Sequence, residues 1–369
     1  YDRALLTQRV ELLRRTLPRA AHLHYAIKAN PMPEVVAHLG KLTDGLDVAS
    51  AGELRIALAA GVEPQTISFA GPGKNVAELR EAVLAGVTLN MESETEMRRL
   101  AQIGQELRRR PRVAIRVNPD FELKTSGMKM SGGPKQFGVD AERVPQMLAE
   151  LGTLPLEFVG FHIFSGSQNL RADAICEAQQ KSVALAFELA RQAPGPVQLL
   201  NIGGGFGIPY FPGEQPLDLA PIAANLAALA PQVAQELPRA ELVLELGRYL
   251  TAEAGIYVSR VIDRKVSRGQ VFLITDGGLH QHLAASGNFG QVIRKNYPVL
   301  IGNRVRGAGR EVVSVVGPLC TPLDVLADRM EMARADIGDL VVVMQSGAYG
   351  LTASPTRFLG HPAPAEVLV

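Results

Sequence analysis

The sequence predicts an α/β protein made of an eight-stranded parallel (β/α)8 barrel followed by a mostly antiparallel β domain. Over the first 250 residues, short apolar segments alternate eight times with amphipathic helical segments. Such alternation predicts a parallel sheet, and eight strands are the number that closes a barrel. A doubly wound open sheet is the competing architecture. It is favoured less because polar, glycine-rich segments follow the strands along the whole series, as they do at the carboxyl rim of a barrel.

The predicted elements follow from hydrophobic periodicity and capping signals. A first helix is expected at 4–17, where apolar residues recur at helical spacing. Strands are expected at 23–28, 45–49, 66–70, 87–91, 112–117, 157–164, 197–202 and 241–246. Helices are expected at 33–42, 51–60, 76–85, 93–109, 141–151, 171–192 and 217–236. Segments 50–53 and 93–96 both read Ser-x-x-Glu, which is typical of helix starts, and Gly61 and Gly86 suit helix ends.

The pattern changes after about residue 250. Apolar, β-rich runs occur at 255–261, 270–275, 312–316 and 339–344, with no convincing long helix between most of them. We therefore predict two domains, a barrel over 1–250 and a β domain over 251–369.

Composition narrows the classes of function. The net charge of +1 gives no reason to expect nucleic acid or a membrane surface as a partner, and no apolar run is long enough for a transmembrane helix. Cys176 and Cys320 lie far apart, which predicts neither a disulfide framework nor a metal site and suits a reducing cytoplasm. The sequence opens directly before a helical pattern and looks clipped, so the lack of a targeting segment carries little weight.

Lys28 is the first candidate for chemistry. It closes the predicted strand 23–28, in which apolar residues alternate. A lysine at the buried end of a strand would have a lowered pKa, and such an amine is the nucleophile that forms Schiff bases. The alternative is an ordinary lysine at a solvent-facing strand end, and this segment alone favours that alternative.

Two later segments supply groups suited to an anionic ligand. Gly203, Gly204 and Gly205 follow the seventh strand, where bare amides form an anion nest; the spacing fits neither a dinucleotide fingerprint nor a P-loop. The alternative is a tight turn that needs small residues. Glu245 and Arg248 end the eighth strand and offer a carboxylate and a phosphate-binding guanidinium, with a mutual salt bridge as the alternative.

Three further segments carry reactive side chains. His162 ends the sixth strand and is followed by Ser165. Cys320 lies in a loop bracketed by glycine and proline, where a buried hydrophobic role is the alternative to a proton donor. Tyr349 lies between small residues near the chain end. One rim of the predicted barrel thus offers the groups that pyridoxal 5′-phosphate needs. They are a lysine, a glycine segment for the phosphate, an arginine, a glutamate and a histidine.

These motifs resemble those of the alanine-racemase-fold decarboxylases, which include diaminopimelate, ornithine and arginine decarboxylases. The matching segments occur in family order at 25–30, 47–50, 116–119, 162–168, 203–207, 245–248, 276–278, 317–320 and 347–350. Segments 164–170, 206–211, 319–322 and 358–362 are most similar to the branch that acts on carrier-protein-linked glutamate and to related decarboxylases of exopolysaccharide gene clusters.

The resemblance implies a role for each matched residue. Lys28 would hold the cofactor covalently, His162 would stack on its ring and Glu245 would pair with the pyridine nitrogen. The remaining cofactor contacts would be Asp47, Ser165, Gly203, Gly204, Gly205, Gly247, Arg248 and Tyr349. Cys320 would protonate the carbanion after carbon dioxide departs. Family members are homodimers with shared active sites, so Cys320 and Tyr349 are expected to come from the partner subunit.

The substrate is less defined. The residues expected at its site are Arg116, Arg248, Arg294, Tyr297, Thr321, Asp324 and Tyr349. Diaminopimelate decarboxylases usually carry glutamate after the catalytic cysteine, whereas this chain has Thr321, and its Arg-x-x-x-Tyr signature is one residue short. We therefore expect an aminoacyl group on a carrier protein, with a free L-amino acid or diaminopimelate as alternatives.

Two other functions fit parts of the pattern. An amino-acid racemase of the same fold would place an arginine near the pyridine nitrogen, where this chain has Glu245. A pyridoxal-phosphate-binding regulatory protein would usually lack the second β domain. Both are favoured less than a decarboxylase.

Overall fold

The protein, described here by a computed structural model, divides into two compact units. The described residues are 1–122, 127–129, 131–289, 291, 293–306 and 309–369. The barrel unit comprises Thr7–Ile208 and Pro216–Gly247, and the sheet unit comprises Tyr1–Leu6, Pro209–Gln215 and Arg248–Val369. The last crossing between them is close to the sequence-based boundary at residue 250, but two short earlier segments also belong to the sheet unit.

Within the described residues, eight parallel strands form the barrel. They are β1 (Ala21–Ala26), β2 (Gly45–Val48), β3 (Ile67–Phe69), β4 (Thr88–Met91), β5 (Arg112–Asn118), β6 (Glu157–His162), β7 (Leu199–Gly204) and β8 (Glu241–Leu246). Each strand pairs in parallel with the next, and β8 pairs with β1, where Glu245 lies opposite His24. The sheet therefore closes, which confirms the barrel and excludes the open sheet.

Helix α1 (Arg3–Thr16) precedes β1. The helices between successive strands are α2 (Pro33–Leu39), α3 (Ala51–Ala59), α4 (Val76–Ala85), α5 (Glu94–Leu107), α6 (Val144–Leu151), α7 (Ala172–Ala190) and α8 (Ala220–Glu236). The predicted caps form, since the hydroxyl of Ser50 accepts the amide of Glu53 and that of Ser93 accepts the amide of Glu96. Such a cap stabilises a helix by about 1 kcal/mol. Gly86 ends α4 in the left-handed region, at φ +80°.

Apolar residues on alternate positions of the strands build the core. On β1, Leu23 and Tyr25 are almost fully buried, as are Phe69 at the end of β3 and Phe161 on β6. Each such side chain contributes about 1.5–3 kcal/mol when buried. Because successive side chains of a strand point to opposite faces, His24, between Leu23 and Tyr25, points to the other side of the barrel wall.

The sheet unit contains a mixed sheet, whose six strands within the described residues are β9 (Tyr257–Ser267), β10 (Gln270–Thr275), β11 (Val299–Ile301), β12 (Arg310–Val316), β13 (Val325–Ala333) and β14 (Leu340–Val343). Their order is β11-β14-β9-β10-β12-β13, and every pair is antiparallel except β10 with β12. The mostly antiparallel β domain is thus confirmed. The sequence did not indicate β11, which is very short, or β13, which is rich in residues that favour helices.

Candidate active site

Lys28 lies just beyond the carboxyl end of β1. The strand ends at Ala26, and the chain turns through a short 3₁₀ helix, Ile27–Ala29, in which both flanking residues are buried. The Lys28 side chain itself is 41% exposed. The 3₁₀ turn carries Lys28 out of the strand, so its amine faces solvent, as in the alternative that the segment alone favoured.

Glu245 on β8 is the centre of the site. Its side chain is 4% exposed, and one carboxylate oxygen, Oε1, lies 3.0 Å from Lys28 Nζ. The other, Oε2, lies 3.0 Å from His162 Nε2. Burial alone would raise the pKa of Glu245, but the charge of Lys28 and the hydrogen bond with His162 lower it well below its usual range. The carboxylate is therefore ionised at neutral pH, and it faces Lys28 and His162.

His162 and Ser165 present buried polar atoms. His162, the last residue of β6, is 2% exposed, and its Nδ1 has no hydrogen-bond partner among the described residues. The hydroxyl of Ser165 is likewise buried and has no partner in the described part of the chain. The ring between them in sequence, Phe164, lies 5.4 Å from Lys28 Nζ. Leaving a buried polar atom unpaired costs about 1–3 kcal/mol, so both atoms indicate a place for a polar ligand.

The glycine segment after β7 needs glycine for steric reasons. Gly203 and Gly205 have φ values of +69° and +73°. A Cβ on Gly203 would lie 2.7 Å from the Phe164 ring, and one on Gly204 would lie 2.3 Å from the carbonyl oxygen of Glu245. The Gly203 amide donates to Asn201 Oδ1 at 2.8 Å, so this amide is used within the turn and is not a ready anion donor.

Gly247 allows the chain at the end of β8 to pack closely against its neighbours. A Cβ at this position would lie 3.0 Å from Cβ of Ala29 and 3.1 Å from the carbonyl oxygen of Ala26. The end of β8 thus lies directly against the turn that carries Lys28, which fixes the distance between Lys28 and Glu245.

Asp47 belongs to a polar layer inside the barrel. Its Oδ1 accepts the hydroxyl of Ser68 at 2.5 Å, and its Oδ2 lies 3.4 Å from Nδ1 of His24. Asn90 donates to the same Ser68 oxygen. Both oxygens of Asp47 therefore already face barrel side chains. His24, Ser68 and Asn90 were not singled out in the sequence, although polar residues on alternate strand positions are a signal for such a layer.

The structure places Arg116 in a second buried network. Its Nη1 lies 2.8 Å from Oε1 of Glu92, and its guanidinium lies 4.8 Å from the ring of Phe137. Glu92 also accepts the backbone amides of Gly71 and Gly138. Burial would raise the pKa of Glu92, but Arg116 lowers it. Arg116, expected as a substrate contact, thus holds loops together at the carboxyl ends of β3 and β5.

In the sheet unit, Arg248 is bracketed by two tyrosines. Its Nη1 donates to the hydroxyl of Tyr210 at 2.8 Å, and its guanidinium lies 4.6 Å from the ring centroid of Tyr349. Its Nε is buried and has no partner among the residues described. Tyr349 has a φ of +52°, which is unusual for a large side chain. Tyr210 was missed as a site residue; its place shortly after the glycine segment was the available signal.

Arg294 and Tyr297 lie within the packing of the same unit. Arg294 donates to the carbonyl oxygens of Ser286 and Val325. Tyr297 is 5% exposed, and its ring centroid lies 4.8 Å from that of Tyr210. Their contacts in this chain are therefore structural ones.

The Cys320 loop is anchored by Asp324. The Cys320 thiol is free and exposed, and Thr321 is half-buried. Asp324 is 2% exposed, and its two oxygens accept the amides of Leu279 and Leu319 at 2.6 and 2.9 Å. Asp324, expected at the substrate site, therefore binds backbone amides of its own loop and of the loop after β10.

Comparison with known proteins identifies the class. Residues 3–252 match the family described as the pyridoxal-dependent decarboxylase, pyridoxal binding domain, and residues 248–347 match its C-terminal sheet domain. The chain belongs to the pyridoxal-dependent decarboxylases. It is therefore a carboxy-lyase, and its cofactor is pyridoxal phosphate. The racemase and the regulatory protein lacking a second domain are not supported.

Particular relatives lie within the same family. The chain is 38% identical to the L-glutamyl-[BtrI acyl-carrier protein] decarboxylase of Niallia circulans, a match that covers 100% of this chain and 87% of that one. It is 35% identical to the diaminopimelate decarboxylase of Aquifex aeolicus, covering 100% and 85% of the two chains. Diaminopimelate decarboxylase from Helicobacter pylori complexed with L-lysine superposes with a TM-score of 0.88 at 27% identity, covering 100% of this chain and 90% of the other.

The residues present fit this cofactor. The barrel unit offers an amine, an ionised buried carboxylate, and buried histidine and serine atoms that lack partners. No helix in the described part of the chain is long and apolar enough to cross a membrane.

Proposed function

We propose that this protein removes the α-carboxylate from an L-amino acid attached to a carrier protein through its side-chain carboxyl, a linkage that leaves the α-carboxylate free. The observation that carries the chemistry is the position of the buried Glu245 carboxylate, 3.0 Å from both Lys28 and His162. When bound, pyridoxal phosphate supplies an electron sink for the bond that breaks as carbon dioxide leaves. The chain must hold that sink in its electron-poor form, which requires a fixed anion.

Each residue of the barrel unit has a task that its contacts support. The amine of Lys28, 3.0 Å from Glu245, would hold the cofactor covalently. Glu245, buried and ionised, would hold a proton on the pyridine nitrogen. His162, fixed through Nε2 by Glu245, would present its ring face to the cofactor.

The phosphate requires donors and positive charge. Within the barrel unit we assign it to the hydroxyl of Ser165 and the backbone of Gly204 and Gly205, and the resemblance to the family adds the guanidinium of Arg248. The buried unpaired atoms of Ser165 and Arg248 support this assignment. Tyr349 lies against Arg248 of its own chain, so we propose that these two residues act on the same phosphate.

Cys320 is the proposed donor of the proton that replaces the lost carboxylate at Cα. Its thiol is exposed at the tip of an anchored loop, which suits action on a neighbouring subunit. We therefore propose a homodimer in which each Cys320 serves the site built around the other subunit's Lys28. A free thiol in this role also supports a reducing, cytoplasmic setting.

The substrate proposal depends on the position after Cys320. Thr321 carries no charge, so this position cannot bind the distal ammonium of diaminopimelate through an ion pair. The relative with 38% identity acts on a carrier-linked glutamyl group, which has no such ammonium. Diaminopimelate remains the second candidate because a relative with that activity is 35% identical over the whole chain.

A substrate panel tests this proposal. Purified protein with pyridoxal phosphate is given L-glutamate loaded on a carrier protein through its γ-carboxyl, free L-glutamate, meso-diaminopimelate and L-ornithine, and carbon dioxide release is measured. We expect turnover of the loaded carrier with kcat/KM at least about 100-fold above that of the free amino acids, a difference of about 2.7 kcal/mol. Preferred turnover of diaminopimelate would overturn the substrate assignment, and racemised product without carbon dioxide would overturn the reaction. Lys28→Ala is the inactive control.

A further inference from the structure

A buried carboxylate connects two loops of the sheet unit. Asp324 lies at the end of the loop that contains Cys320 and directly before β13. Its Oδ2 accepts the amide of Leu319, the residue immediately before Cys320, at 2.9 Å, and its Oδ1 accepts the amide of Leu279 at 2.6 Å. One side chain therefore ties the Cys320 loop to the loop that follows β10.

The surrounding glycines show that this place is built for the carboxylate. A Cβ on Gly278 would lie 2.3 Å from Asp324 Oδ1, and a Cβ on Gly317 would lie 2.2 Å from Asp324 Oδ2. Neither glycine has a left-handed φ, so backbone conformation does not explain them. They leave room for the Asp324 carboxylate between the two loops.

The loop also closes on itself around Cys320. The amide of Thr321 donates to the carbonyl oxygen of Leu319, and the amide of Gly317 donates to that of Asp324. The backbone on both sides of Cys320 is thus fixed, while the thiol remains exposed. A buried carboxylate is costly to desolvate unless it organises its surroundings, and here both oxygens of Asp324 bind backbone amides.

We propose that Asp324 is a positioning residue that sets the place of the Cys320 thiol, and that it does not contact substrate. The proposal rests on the assignment of Cys320 as the proton donor. Because the proton must reach Cα from one face, the fidelity of its delivery depends on how tightly the loop holds the thiol. Loosening the loop should affect the protonation step more than binding.

Three variants displace the carboxylate in different ways. Asp324→Asn keeps the volume but replaces one acceptor oxygen with a donor, while Gly278→Ala and Gly317→Ala push an intact carboxylate aside. Each should lower kcat about 10- to 100-fold, as expected for loss of a buried hydrogen bond to a charged group, and should leave KM within about threefold. Asp328→Asn on β13 is the matched control, since its carboxylate accepts the hydroxyl of Ser314 and lies 43% exposed.

The decisive measurement uses the holoenzyme and L-glutamate loaded on a carrier protein, turned over in D₂O. Wild type and Asp328→Asn should place deuterium at Cα in a single configuration, and the three displaced variants should give mixed configurations. Retention of a single configuration in all three variants would overturn the proposal. A loss of activity caused entirely by a higher KM, with kcat unchanged, would overturn it as well.

Two measurements do not depend on turnover. In Asp324→Asn holoenzyme, the alkylation rate of Cys320 should change at least about threefold while that of Cys176 stays constant, because only the former is attached to the Asp324 network. Amide hydrogen exchange should accelerate at Leu279 and Leu319. If these changes appear while Cys320→Ala leaves decarboxylation intact, the donor assignment fails and the positioning of the loop stands. If neither the alkylation rate of Cys320 nor the amide exchange at Leu279 and Leu319 changes, the positioning role itself is wrong.

Discussion

Replacement of Glu245 by glutamine should destabilise the protein and nearly abolish its activity. Glutamine has the same shape, so the change removes charge and one acceptor without leaving a cavity. It leaves His162, which is 2% exposed, opposite a neutral group. It also leaves Lys28 without its carboxylate partner at 3.0 Å.

The magnitude follows from the two contacts. A buried hydrogen bond to a charged group contributes about 1.5–3 kcal/mol and a neutral one about 0.5–1.5 kcal/mol, so the His162 contact should lose about 1–1.5 kcal/mol. The Lys28 contact adds at most about 1 kcal/mol, because that side chain is 41% exposed and its charge is screened by solvent. The free energy of unfolding should therefore fall by about 2 kcal/mol, while kcat should fall at least about 100-fold because the pyridine proton is no longer held.

Urea unfolding of the cofactor-free protein measures the loss in free energy of unfolding. The chain has no tryptophan, so far-UV circular dichroism is the suitable signal. The folded-state pKa of Glu245 is lowered, so its contribution to stability is present above the unfolded pKa of about 4.3 and is lost as the pH falls towards the folded value. The difference between wild type and Glu245→Gln should thus be constant near neutral pH and should shrink below about pH 4. A difference under about 0.5 kcal/mol at pH 7 would refute the reasoning, since that is the range of ordinary surface substitutions.

Two further predictions concern the cofactor and the shared site. Lys28→Ala should lose the visible absorbance band of lysine-bound pyridoxal phosphate. Mixing this variant with Cys320→Ala should restore about a quarter of wild-type activity, because half of the dimers are mixed and each mixed dimer has one intact site. A verified mixed dimer without activity would contradict shared sites. Arg248→Lys should weaken pyridoxal phosphate binding about 10- to 100-fold in equilibrium dialysis, since lysine can neither stack on Tyr349 nor offer a planar set of donors, and an unchanged Kd would remove Arg248 from the phosphate site.

The barrel could be predicted from sequence because strand and helix periods alternate without interruption and because its connections carry local signals. Ser50, Ser93 and Gly86 mark helix ends through contacts within a few residues of themselves. The strand β13 could not be predicted in this way. Its residues favour a helix, and it becomes a strand only by pairing with β12 across the Cys320 loop, which is a contact outside its own segment.

The site could be predicted as a set of residues but not as a set of contacts. Lys28, His162 and Glu245 lie at strand ends, where a barrel gathers functional groups. Their pairing depends on strand order and register, which no local pattern encodes. Asp324 shows the limit most clearly, since sequence alone suggested a substrate contact whereas the carboxylate is bound by two backbone amides.

The segment Pro209–Gln215 has a consequence for how the protein can be made. It lies between β7 and α8 of the barrel in sequence but belongs to the sheet unit, where Tyr210 accepts from Arg248 and the carbonyl oxygen of Pro209 accepts from Gln345. A recombinant fragment that starts at residue 248 would lack these partners, and it would expose the ring of Tyr297, which packs against Tyr210 in the full chain. On the ribosome, the sheet unit can complete its packing only after the barrel sequence has been synthesised, so folding should proceed from the barrel to the sheet.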